Sequence, residues 1–168
     1  LVISLLIAIP LGVYTALNPG GKLDSIVNML AFFGISVPSF WLALMLIVLF
    51  AVQFHWLPAG GTETLGADYT GFAAFWDHAK FLFLPVLSLS LQQIGIFVRY
   101  ARGAMMDVMR LDFVRTARAK GLSYNVVIWK HAFRNALIPL ITIVALSLSS
   151  IFSGALLTET VFAYQGVG

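Results

Sequence analysis

The sequence predicts an all-α polytopic membrane protein, and three observations predict it. Hydrophobic residues make up 60% of the 168-residue chain and charged residues only 10%, where ordinary soluble domains carry about 25% charged residues. Residues 1–21, 26–52, 81–98 and 135–158 each contain no Asp, Glu, Lys or Arg, and a helix crosses a bilayer with roughly 20 apolar residues. None of these runs alternates apolar and polar residues as a barrel strand does. A helix satisfies its backbone polar groups within the segment, which lipid demands.

The elements follow in order. The first run is apolar from Leu1 and has no basic region before it, so it reads as a span and not as a cleaved signal peptide. The chain begins inside that run and stops at Gly168 without a cytosolic tail, so it is expected to be a piece of a longer protein. The run 26–52 reads as one span, and 81–98 reaches span length only by extending past Arg99. Pro10, Pro38 and Pro85 are expected to kink helices packed among neighbours. Cysteine is absent, which excludes a disulfide framework and a thiolate metal site.

The connections between the runs differ in charge. Residues 18–25, NPGGKLDS, form a short turn with one Lys and one Asp. Residues 54–80 hold three acids and one Lys, together with Trp56, Tyr69 and Trp76. Residues 99–134 hold eight of the ten Lys and Arg residues and two acids. Lys and Arg gather on the cytoplasmic side of spans, so 99–134 is expected inside and 54–80 outside. Alternation then puts 18–25 inside and 158–168 outside. The outer-loop aromatics suit either an interfacial belt or the packing of loop on helix.

Within 99–134, the stretch RTARAKGLSYNVVIWKHAFRNALIP (115–139) carries six basic residues, counting His131, and no acid. An Arg or Lys at the bilayer centre costs about 2.5–3.5 kcal/mol, so this stretch does not span. Periodicity still predicts helices. Met106, Met109, Phe113 and Ala117 recur on one helical face, with Asp107, Arg110 and Arg118 on others. Gly121 suits a helix stop, and Lys120 precedes it where the helix dipole favours a cation. Ser123 is a candidate N-cap for a second helix, although Val126 stands where Glu or Gln would complete a capping box. Val126, Trp129, Phe133 and Leu137 make a second apolar face, and Pro139 is expected to separate this helix from the final span. The expectation is a helix, a Gly corner and a helix. Such a hairpin either rests on anionic lipid, at about 1 kcal/mol per cation near the surface, or docks a partner. Its wiring into spans at both ends favours docking, because a gripped hairpin transmits force.

FVRTARAKGLSYNVVIWKHAFRNALIPLIT (113–142) resembles the cytoplasmic loop of permease subunits in binding-protein-dependent ABC importers, in the branch that serves dipeptides, oligopeptides and nickel. GALLTETVFAYQGVG (154–168), GISVPSFWLAL (34–44) and LPAGG (57–61) are similar to further stretches of that branch, so the likeness covers essentially the whole chain. The general family loop reads Glu-Ala-Ala, three residues, then Gly. Here Arg115 and Thr116 hold the first two places, and Ala117 and Gly121 are retained. His131, Phe133 and Arg134 stand where the general Ile-x-Leu-Pro ending would, with Pro139 later. These departures agree with the peptide and nickel branch. Gln165 replaces the usual Pro before Gly166.

The resemblance implies a type I ABC importer transmembrane-domain fold, here a fragment with about four or five membrane helices. Residues 1–168 would be a single permease domain, with the coupling loop at 106–135 inside it. The implied partners are a second permease subunit, two cytosolic ATP-binding subunits, an extracytoplasmic solute-binding protein and the lipid of a bacterial or archaeal inner membrane. No nucleic acid is implied. Arg115, Thr116, Ala117, Arg118, Lys120, Gly121, Leu122 and Ser123 would form the coupling element, seated in a groove on an ATPase. ATP and Mg would sit on that ATPase, with no cofactor on this chain. The sequence has no G-x-x-x-x-G-K-[ST] phosphate loop, so the chain is expected to be a transport subunit and not an enzyme.

No catalytic or metal residues are assigned. His55 and His78 fall outside and His131 inside in this topology, so they cannot share a metal. GISVP (34–38) lacks the second Gly of a nucleophile elbow, and there is no H-E-x-x-H. Gln92 and Gln93 lie mid-span, and Thr142, Ser149 and Ser153 share one helical face. These are candidates to line the pathway, because polar residues inside spans face a bundle interior or a water-filled path. Hydrogen bonding between helices explains them equally well. The alternative function is a membrane scaffold or anchor whose basic hairpin recruits a partner or lipid. A secondary transporter would need an intramembrane ionisable group, which the four uncharged runs lack.

Overall fold

The computed structural model describes residues 1–67 and 69–165, and for 149–155 the backbone alone. Among the described residues every regular element is helical: α1 (Val2–Leu17), α2 (Lys22–Ser36), α3 (Ser39–Leu46), α4 (Phe72–Met109), α5 (Asp112–Ala119) and α6 (Arg134–Val161). Two π-helical stretches join them. Ile47–Gln53 continues α3, and Val126–Phe133 leads into α6. The chain forms two compact units, Leu1–Ile35 with Gln93–Leu148, and Ser36–Gln92 with Ser149–Gly168.

Among the described residues two helical segments are long and apolar enough alone to cross a membrane, Phe72–Met109 and Val126–Leu148. Lys22–Ser36 and Ser39–Gln53 qualify only as a pair, and Val2–Leu17 is a shorter apolar helix. The run 26–52, expected as one span, is therefore broken. Val37 and Pro38 separate the two helices, with Pro38 in an extended conformation at φ −59° and ψ 139°. Proline has no N–H to donate and disfavours helical geometry in the residue before it. The Val37 carbonyl freed there accepts a hydrogen bond from Gln92 Nε2 at 3.1 Å.

Pro10 and Pro85 lie inside helices. So does Pro139, which was expected to separate two helices and does not, since α6 runs through it from Arg134 to Val161. The flanking residues Ala136 and Leu140 are both buried. α4 also exceeds expectation. Its 38 residues rise about 57 Å at 1.5 Å each, nearly twice a ~30 Å hydrocarbon core.

The first unit has two apolar clusters. Ala8, Phe97 and Val98 form one, with Leu5, Leu11, Ile94 and Ile143 packed around it. Val13 and Ala16 of α1 join Met105 and Val108 of α4, Val114 and Ala117 of α5, and Val127, Ile128 and Ala132 in the other. In the second unit Ala43, Leu46, Leu84 and Phe162 form the core. Large apolar side chains such as Leu6, Met29, Ile138, Ile141 and Leu146 are exposed. An apolar surface of that extent suits lipid or other membrane helices.

Candidate functional site

The cationic hairpin starts where α4 stops. Arg110 N–H donates to the Asp107 carbonyl at 3.2 Å and Leu111 N–H to that of Val108 at 3.1 Å, closing the helix. Leu111 is extended, with φ −73° and ψ 149°, and α5 begins at Asp112. Met106 and Met109 therefore belong to α4, and Phe113 and Ala117 to a different helix. The single face expected across these four residues is divided by the Arg110–Leu111 break. Asp112 lies in the first turn of α5 and Arg118 in its last, the signs that a helix dipole favours at each end.

The Gly corner is present. Lys120 N–H donates to the Thr116 carbonyl at 3.0 Å and Gly121 N–H to that of Arg118 at 3.0 Å. Gly121 has φ +74°, in the left-handed region, and a Cβ there would meet nothing within 4 Å. The need for glycine is one of backbone conformation and not of space. Helix resumes at Tyr124, with the Ser123 carbonyl accepting the Val127 amide at 3.0 Å. Ser123 thus holds the cap position through its backbone.

The buried face of the second segment differs from the expected one. Val126 and Trp129 are exposed, Phe133 and Leu137 are half-buried, and Val127, Ile128 and Ala132 point inward. Ile128, Ala132 and Ala136 recur at four-residue spacing, so a different face of the helix from the expected one is buried; the segment Val126–Phe133 is wound as a π-helix. Outside lie Phe113 at 38%, Leu122 at 41%, Tyr124 at 57% and Trp129 at 53% exposure. Trp129 stands edge-on to Phe133, with ring centroids 5.4 Å apart. Of the eight residues assigned to the site, Ala117 is buried and the other seven are exposed.

The eight cations of 99–134 divide by surroundings. Arg99 and Arg102 lie inside α4 and not in a loop. The Arg99 guanidinium stacks on Phe32, 4.3 Å from the ring centroid. Arg102 is held by Asp24. Its Nε donates to Oδ1 at 2.7 Å and its Nη2 to Oδ2 at 2.9 Å. Gly20 N–H donates to Oδ2 at 2.8 Å and Asn28 Nδ2 to Oδ1 at 2.6 Å, so all four lone-pair sites of the carboxylate are filled. Arg115 reaches only Asp112, at 3.7 Å in the open. Arg110, Arg118, Lys120, Lys130 and Arg134 are exposed. Exposed ion pairs contribute about 0–1 kcal/mol, whereas fully buried Val or Ile side chains such as Val114, Val127 and Ile128 contribute ~1.5–3 kcal/mol each. Apolar packing, and not charge, seats the hairpin. Its outward cations and aromatics are exposed.

The Asp24–Arg102 pair escaped the sequence reading because its partners lie 78 residues apart. The available signal was a lone acid at the edge of a span, on the side expected to hold the basic loop. The pathway candidates scatter. Gln92 is engaged by the Val37 carbonyl, and Thr142 donates back to the Ile138 carbonyl of its own helix at 3.2 Å. Gln93 is half-buried, and its Oε1 is buried without a hydrogen-bond partner among the described residues. The side chains of Ser149 and Ser153 lie outside what the structure describes. His55 and His78 belong to the second unit and His131 to the first. His78 Nδ1 lies 2.7 Å from the Thr62 carbonyl.

Residues 8–168 match the family model described as the binding-protein-dependent transport system inner membrane component. The chain belongs to this family. It is similar to the oligopeptide transport system permease protein of Bacillus subtilis, at 39% identity over 99% of this chain and 52% of that protein. The di/tripeptide transport system permease protein of Pseudomonas aeruginosa is 40% identical over 94% of this chain and 51% of its own length. A probable D,D-dipeptide transport system permease protein of Escherichia coli is 40% identical over the whole of this chain and 54% of its own. The chain spans about half the length of these curated relatives. Membership makes it a membrane transport component, in agreement with its apolar helices.

Proposed function

We propose that the chain is part of a permease subunit that forms the translocation pathway of an ATP-driven peptide importer. The observation that carries this reading is the concordant naming of relatives 39–40% identical across 94–100% of the chain, all peptide permeases. In the proposal a second permease subunit completes the pathway, an extracytoplasmic binding protein delivers peptide, and two cytosolic subunits bind ATP and Mg. The hairpin of residues 110–133 is the element those ATPases grip. Its support is the combination of a seated apolar side with exposed Phe113, Trp129, Arg118 and Lys120. Gln93 is the pathway residue with the best support, because its buried Oε1 has no hydrogen-bond partner among the described residues.

The orientation belongs to the same proposal, with 99–134 cytoplasmic and 54–80 external, by the excess of Lys and Arg in the former. Cysteines placed at Leu65 and Ser123, both exposed, are expected to react with an impermeant thiol reagent from opposite sides. Reaction of both in intact cells would sink the orientation. Function is tested by uptake of labelled peptide into liposomes that hold the assembled transporter, with ATP and binding protein supplied. Uptake competed by unlabelled peptide supports the reading. Competition by a nickel chelate instead would move the substrate to the metal members of the branch.

A further inference from the structure

We infer that Asp24 and Arg102 act as a strap that makes the α1–α2 turn move with the hairpin, so that both are positioning residues for transport. The inference rests on the coupling role proposed for the hairpin. It begins from a closed mechanical circuit within the first unit. The hairpin side chains Val114, Ala117, Val127 and Ile128 share one buried apolar cluster with Val13 and Ala16 of α1. α1 ends at Leu17, and the turn that follows leads into α2, whose first turn carries Asp24. Asp24 grips Arg102 of α4. Three residues further along α4, Met105 enters the same apolar cluster as the hairpin.

Apolar packing is non-directional and lets one surface slide over another. A bidentate fork fixes both separation and orientation. Asp24 is only 6% exposed and Arg102 24%. Asn28 and the Gly20 amide fill the remaining acceptor sites of the carboxylate. The Gly20 contact fixes the turn itself to the pair, and not merely one helix to another. A pull on the hairpin therefore reaches α2 as well as α4.

The test uses the complete transporter in liposomes and reads peptide uptake and ATP hydrolysis separately. Asp24→Asn keeps the shape of the side chain, removes its charge and turns one acceptor into a donor facing Arg102 together with either Gly20 or Asn28. Recruitment of the ATPase and its hydrolysis rate are expected to persist, while peptide taken up per ATP falls about tenfold, ~1.4 kcal/mol of coupling. Arg102→Lys keeps the charge without the fork and is expected to lose less, and Asn28→Ala least. Uptake per ATP equal to the parent's in Asp24→Asn overturns the strap. A parallel fall of uptake and hydrolysis also overturns it, because that is the signature of a damaged fold. Should Asp24→Asn fail to assemble, Arg102→Lys decides alone by the same ratio. A parent with no ATP-dependent uptake removes the importer reading first, before any variant is compared.

Discussion

The connection at residues 54–71 and the hairpin at 110–133 treat their polar groups in opposite ways. In the first, Thr64 donates through its amide and its hydroxyl to the two oxygens of Asp77, at 2.8 and 2.7 Å. Gly61 N–H donates to the Phe162 carbonyl at 3.0 Å, and His78 meets the Thr62 carbonyl. The loop is bonded back to its own unit through residues 61–64. In the hairpin, backbone bonds and a buried apolar side fix the fold, while Arg118, Lys120, Lys130 and Arg134 stand exposed. The first connection spends its polar groups on itself, and the second reserves them. Damage to the loop should therefore appear as lost stability, and damage to the hairpin as lost function in a stable protein.

Glycine variants test this contrast with the largest expected effects. A Cβ on Gly60 would collide with the Phe162 carbonyl, so Gly60→Val must displace backbone in the second unit. Overpacking of this kind costs about 1–3 kcal/mol, and thermal unfolding in detergent should show a clear drop. Gly121→Val meets open space but holds φ +74°, a backbone strain that the exposed corner relieves by a local shift, so its cost to global unfolding is smaller than that of Gly60→Val. It should insert normally and abolish most uptake. A variant that lost unfolding temperature as much as Gly60→Val, with uptake intact, would reverse the assignment of roles.

Thr64→Val comes next. It removes the hydroxyl bond to Asp77 and leaves the amide bond in place. The expected outcome is a smaller fall in unfolding temperature than for Gly60→Val, with ATPase recruitment unchanged. Impaired recruitment would mean that the two connections are not independent.

The contrast also marks where the sequence was legible. Helical class, the Gly121 corner and the capping position at Ser123 follow from local chemistry, and each stands where periodicity and glycine conformation put it. Three features depend on what lies elsewhere. Pro38 breaks a helix, with Gln92 supplying a donor to the Val37 carbonyl, while Pro139 is carried inside one between buried Ala136 and Leu140. The same residue type stands at a break in one place and inside a helix in the other, and no local rule separates the two. The inward face of Val126–Phe133 was misread because Val127, Ile128 and Ala132 are buried there, and not Val126 and Trp129. Asp24 and Arg102 were invisible as a pair because no local rule joins residues 78 positions apart.

Among the exposed cations, Arg118→Glu should weaken ATPase recruitment strongly at low ionic strength and little at high. At about 0.15 M salt the screening length is already ~8 Å, so a contact made by an exposed charge should fade as salt rises. Loss of recruitment independent of salt would point to buried hydrogen bonding at Arg118 instead. Recruitment unaffected at every ionic strength, together with tighter binding of the parent than the variant to anionic vesicles, would favour lipid as what the hairpin touches.

The smallest effect belongs to Arg115→Ala. Arg115 is the one hairpin cation with an acidic neighbour among the described residues, Asp112 at 3.7 Å, and the two side chains are 79% and 96% exposed. A pair so open is screened and holds two long side chains loosely, so stability should stay within ~0.5 kcal/mol of the parent. Asp112 also offsets part of the field that Arg115 presents outward, which makes Arg115 a weaker contributor to docking than Arg118. Recruitment should therefore fall by less than in an Arg118→Ala control measured at the same ionic strength. If Arg115→Ala instead loses as much as Arg118→Ala, the place that the general family loop gives to Glu is a direct contact point on the partner, and Asp112 serves to orient Arg115 rather than to mute it.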